Sequence, residues 1–361
     1  VQQHLGLGLH PPGGSVQDGT MFGLGTSQPS RYLRTTWMLS AEVALDFSDS
    51  SSIWFFSDHE ANVLAEAVRK RNVFARHSWE NNFYLQRIKE LSNRTIIEVF
   101  RPGDPNEMGA EAETVADLLE QIAVLSSTLA TSKSDGQRKL GISERPRNEV
   151  AFIVGSAYRY LSSRSRPEPT VEGIRIDERF SRRFSRCGFH QLYNYILGGG
   201  NLAVRVQACL NWLCDSRQEP RLHASVVKTA IALESLLILS EAEPLARSLS
   251  ERSAFILSPH PATREKISKT VKRFYEARSG VVHGGRKKAQ QLTPYLVEAV
   301  DRLCLLTCLT IARNSDLWHS VEDLHLWCEA ERWGKPSTEV KAAFPETYLK
   351  AAIELAQKAP R

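Results

Sequence analysis

Residues 274–288 read FYEARSGVVHGGRKK, a helical pattern with an arginine where an apolar residue is due, closing on His283, Gly284 and Gly285. Upstream, Ile267, Val271 and Phe274 recur at helical spacing, with Lys266, Lys269, Lys272 and Arg273 on other faces. Four residues past Phe274 this stripe reaches Arg278, then Val281 and Val282, so Arg278 is expected on the core side of its helix. A guanidinium there needs a partner or a cavity to line, because an isolated buried charge is too costly. The two glycines are helix-terminating signals, which puts His283 at or just beyond the last turn.

The flanking sequence is helical as well. After ERFSRRFSRCGFHQLYNYIL (178–197) and a triple glycine, Asn201 is positioned to cap LAVRVQACLNWLCDSR. LHASVVKTAIALESLLILSE, a shorter PLARSLSERSAFILS, the arginine/histidine helix and LTPYLVEAVDRLCLLTCLTIARN follow. Four long amphipathic helices joined by short connections make a helical bundle. In the second of them Val227, Ile231 and Ile238 mark a stripe on which Glu234 falls. A carboxylate and a guanidinium on the inner faces of one bundle are expected to pair, with Glu234 holding the fork of Arg278.

The first half has a different pattern. SAEVALDF (40–47), SSIWFFS (51–57), NRTIIEVF (93–100) and NEVAFIVGSAYRYL (148–161) read as strands. Asp58 is placed to cap a helix through residue 75, and 109–130 is a second amphipathic helix. The segments 131–149 and 163–173 read as polar loop and linker. The expected layout is a flexible leader at 1–30, an α+β domain at 31–175, an all-α bundle at 176–316 and a helical tail at 317–361. The chain is then mainly α overall.

Composition narrows the function classes. The 361 residues carry a formal net charge of +5. Residues 201–316 hold 17 Lys/Arg against 11 Asp/Glu, a net of +6, so the remainder is about neutral. Nine of those basic residues fall within 264–288, where a polyanion such as RNA fits. No apolar run approaches the roughly 18 residues of a membrane span, so no membrane partner is expected. The start lacks the basic head and long apolar body of a secretory signal, with Met21 a candidate internal start. The six cysteines (187, 209, 214, 304, 308 and 328) show no CxxC pair, which fits reduced core thiols in the cytoplasm. No metal-ligand spacing is present, and no metal or cofactor is expected.

Arg278-Ser279-Gly280-Val281-Val282-His283-Gly284, with ALESLL about 40 residues upstream and LSERSAFIL between them, resembles the Apea-like branch of the HEPN superfamily (higher eukaryotes and prokaryotes nucleotide-binding). The resemblance covers roughly residues 200–316. Many active members carry Asn or Asp after the arginine; here it is Ser279, which suits the Apea-like branch. The resemblance implies a metal-independent endoribonuclease that acts as a homodimer in defence or toxin–antitoxin systems, with an antitoxin or regulatory protein as a further partner. RNA would be cut by its own 2′-OH. His283 would move the proton, since histidine ordinarily titrates near pH 6.5. Arg278 would stabilise the phosphorane charge. Ser279, Glu234 and Tyr275 would support the site, and Lys272, Arg273, Arg286, Lys287 and Lys288 would contact RNA phosphates. The alternative is a non-catalytic HEPN module for nucleotide or RNA binding, or for dimerisation.

Overall fold

In the computed structural model the strand signals of the first half assemble into an antiparallel sheet, and the second half is helical throughout. The structure describes residues 30–36, 39–48, 50–71, 85–86, 88–101, 108–129, 142–154, 158–169, 174–240, 242–284, 290–334 and 340–358. The chain divides into two compact units, residues 1–120 with 143–181 and residues 121–142 with 182–361.

The first unit is built on β1 (Ser30–Thr35), β3 (Leu45–Ser48), β4 (Ser51–Phe56), β5 (Arg94–Arg101), β6 (Ile142–Val154) and β7 (Tyr158–Pro169). Their order in the sheet is β3-β4-β5-β1-β6-β7. The register pairs Leu33 with Glu98 and Glu98 with Ser52, so alternate residues along each strand go to opposite faces. One face buries Leu33, Trp54, Phe56 and Ile96 against Ala61 and Leu64 of α1 (Asp58–Arg71) and against Ile88 and Leu91. On the other face Arg34, 2% exposed, bonds to Asp117 and Glu120 of α2 (Met108–Ser126). Thr36 also donates to Glu120. A buried guanidinium is tolerated there because two carboxylates neutralise it.

Several local expectations need correction. The segment at 40–47 is not one strand. It breaks after β2 (Leu39–Ala41), which pairs in parallel with β8 (Ile174–Ile176), and resumes at β3. Strand structure takes in the last eight residues of the expected polar loop, from Ile142, and the expected linker as far as Pro169. The cap of α1 is Ser57 rather than Asp58. Its hydroxyl faces the N–H of Glu60 at 3.5 Å, while its own N–H donates to the Glu60 carboxylate at 2.9 Å. Asp58 instead accepts from Ser92 and Asn93, and these bonds hold its carboxyl below the usual range. The end of the expected α1 beyond Arg71 and residues 1–29 of the expected leader, Met21 included, lie outside the described residues, and Ser30 already belongs to β1.

The second unit contains α3 (Glu178–Arg186) from Arg182 onward, α4 (Phe189–Leu197), α5 (Asn201–Gln218), α6 (Leu222–Leu237), α7 (Leu245–Leu257), α8 (Pro261–Val282), α9 (Pro294–Arg313), α10 (Val321–Arg332) and α11 (Glu346–Ala356). α9 is its centre: every residue from Ala299 to Ala312 is buried, and α4, α5, α6, α7, α8 and α11 pack around it. A helix apolar nearly all round belongs at such a position. α5 pairs with α6, and α7 with α8. Gly200, not Asn201, is the N-cap of α5, with φ of 106° that a side chain would resist. All six cysteines are free and buried. Cys209 lies 3.2 Å from Cys304 and 3.5 Å from Cys308, and burial pushes its thiol well up. No described helix is long and apolar enough to cross a membrane.

Candidate active site at the end of helix α8

Proline at the first turn of α8 sets its entry, and the helix runs 22 residues to Val282. Its buried residues are Ile267, Thr270, Val271, Phe274, Tyr275, Ala277 and Gly280. The core stripe therefore continues through Ala277 and Gly280 rather than through Arg278 and Val282. A four-residue step over-rotates by about 40° in a 3.6-residue helix. It carries Arg278 from the core to the rim, where its side chain is 21% exposed. Val282, 47% exposed, lies beyond the core.

Glu234 is displaced in the same way. The buried face of α6 includes Val226, Ala230, Leu233 and Leu237, whereas Val227, Ile231 and Ile238 are only half-buried. Glu234 sides with that second row and is 25% exposed. Carboxylate and guanidinium meet at the rim where α6 and α8 pack, at 3.7 Å between Glu234 Oε1 and Arg278 Nη2. That is an ion pair beyond hydrogen-bonding distance. The close donor to Glu234 is Tyr275, whose hydroxyl reaches Oε1 at 2.5 Å. The expectation that Glu234 grips the Arg278 fork is therefore corrected: Tyr275 orients Glu234, and Glu234 faces Arg278. The guanidinium carbon sits 5.4 Å from the centre of the Tyr275 ring, within cation–π range. Burial first, then the bond to Glu234, push the Tyr275 phenol up, so it stays a donor. The Nε of Arg278 is shielded and has no acceptor among the described residues.

His283 is the C-cap of α8. Its N–H donates to the Ser279 carbonyl at 3.0 Å, continuing the helical ladder, and its side chain is exposed. Gly284, at φ +71°, then ends the helix in the left-handed conformation. Five helical residues turn the chain by about 140° net, so His283 and Arg278 leave α8 in different directions. His283 instead continues the row Lys272, Glu276, Ser279, spaced four, three and four residues apart.

Lys272, Glu276 and Ser279 of that row border a groove of about 760 Å³ between α7 and α8, which Tyr275, Ser250 and Glu251 also line; His283 lies past its end. Lys272 is exposed there. Arg273 donates to the Ala356 carbonyl that ends α11 at 2.5 Å. Arg286, Lys287 and Lys288 lie outside the described residues. Among the described residues no group of three His, Cys, Asp or Glu side chains is placed to hold a metal ion. The sequence reading missed the groove and Glu276: the spacing was there, but α7 supplies the opposite wall.

No protein-family model matches the chain, and neither a curated protein nor a solved structure matches it significantly.

Proposed function

We propose that the helical unit is a metal-independent endoribonuclease of HEPN type that works as a homodimer. The observation that carries this reading is the end of α8: a guanidinium positioned by Glu234 and Tyr275, and an exposed imidazole five residues on at the helix cap. In this mechanism the RNA 2′-oxygen attacks the adjacent phosphorus while His283 takes its proton. Arg278 faces the added charge on the phosphorane. The P–O5′ bond breaks, and the leaving oxygen takes a proton from an imidazolium, leaving a 2′,3′-cyclic phosphate and a 5′-hydroxyl. Because each chain supplies one His283, a second copy of the chain meeting it at this helix would complete the acid/base pair. In this reading the protein acts in the cytoplasm in defence or toxin–antitoxin biology, and an antitoxin or the first unit restrains it.

The second reading is a non-catalytic HEPN module that binds a nucleotide or RNA, or dimerises. The divergence of Arg278 and His283 within one chain, together with Ser279 after the arginine, favours it.

Substrate discrimination separates the two. With EDTA present, the purified chain should cut RNA but leave intact a DNA strand of the same sequence and an RNA methylated at the 2′-oxygens. Both uncut strands should still bind, with affinity falling steeply as salt rises. Cleavage of the DNA strand, or an absolute need for a divalent ion, would reject the proposed chemistry.

A further inference from the structure

We propose that the groove between α7 and α8 is a guanine-binding subsite that seats one base of an RNA strand leading to His283; this rests on the ribonuclease reading above. The groove, about 760 Å³, falls in the size range of small-molecule sites. Its walls are fixed. The Tyr275 ring is pinned through its hydroxyl to Glu234, and Glu251 is already engaged by Arg247 at 2.8 Å and by Arg332.

Two charged groups on the groove wall remain available. Glu276 is half-buried, and Lys272 is exposed one turn earlier on the same row. Among the described residues neither has a salt-bridge or hydrogen-bond partner, and they do not pair with each other. An ionised carboxylate is an acceptor with two oxygens and no donor, and it is costly to shield without a donor. The base that answers it is guanine, whose Watson–Crick edge sets the N1–H and N2–H₂ donors side by side. Adenine and cytosine each place an acceptor nitrogen beside their one amino group, and uracil flanks its imide N–H with two carbonyls. Each would set a lone pair against the carboxylate. Lys272 supplies a point charge for a neighbouring phosphate. Ser279 and His283 lie farther along the same row, so a strand seated by its guanine would run toward the imidazole.

Binding to uncleavable RNA tests this independently of catalysis. The probes are 2′-O-methyl oligouridylates carrying one guanosine, one inosine or no substitution, titrated calorimetrically against the full chain. Guanosine should bind about tenfold more tightly than the other two, since inosine lacks the N2 amino group. In Glu276→Gln, whose amide presents one acceptor and one donor, that preference should fall below twofold with an unchanged melting temperature. Equal binding of the three strands, no binding of any, or a guanosine preference that survives Glu276→Gln would overturn the proposal. Guanosine-selective binding without cleavage of ordinary RNA would reject the ribonuclease reading and leave the subsite standing. Cleavage with base-indifferent binding would do the reverse.

Discussion

Replacing His283 with alanine should give a folded protein that cuts RNA at least about 100-fold more slowly, the low end of what one general acid/base contributes. The residue is exposed at the C-cap and contributes its backbone N–H to the helix, a bond alanine keeps. The melting temperature should therefore move little, while RNA binding persists. A variant that unfolds would make the imidazole structural. A variant that folds and cuts at the wild-type rate would remove His283 from the chemistry.

Arg278→Ala should lower cleavage by about 10²–10³, the scale of removing one group that stabilises transition-state charge. Its stability cost follows from the geometry. A fully buried pair that loses one member costs roughly 3–5 kcal/mol. Here both partners are partly exposed and 3.7 Å apart, and Glu234 keeps its bond from Tyr275. About 1–2 kcal/mol is expected, the sum of a rim ion pair and a cation–π contact. Denaturant unfolding checks this value. A loss above 4 kcal/mol would mean that Arg278 holds the bundle together, and unchanged cleavage would mean that it serves only the α6–α8 contact.

Much of the fold was legible because the long helices carry their own punctuation. The glycine at 284 closes α8 where its pattern ends, whereas α9, which reads as amphipathic, is buried on all sides from Ala299 to Ala312. What failed to show depends on partners far along the chain. Arg34 interrupts the apolar pattern of β1, and Asp117 and Glu120, more than eighty residues away, make its burial tolerable. The charged, proline-containing start of β6 reads as a loop, although its backbone is strand. In α6 two apolar rows, Val226/Ala230/Leu233/Leu237 and Val227/Ile231/Ile238, compete for the core. Sequence periodicity cannot choose between them, so Glu234 was set one row too deep. The pairing of Glu234 with Arg278 was foreseeable from their charges. The role of Tyr275 as the closer donor was not, since it turns on which rim of α8 faces α6. The Lys272–Glu276–Ser279–His283 row passes for a solvated helix face until α7 is laid beside it.

The end groups of the cleaved RNA test the central claim most directly, because they record which oxygen attacked the phosphorus. The account predicts fragments ending in 2′,3′-cyclic phosphate, or in the monophosphate formed when it opens, each followed by a fragment with a free 5′-hydroxyl. Fragments ending in 3′-hydroxyl and beginning with 5′-phosphate would show attack by an external water and would contradict it.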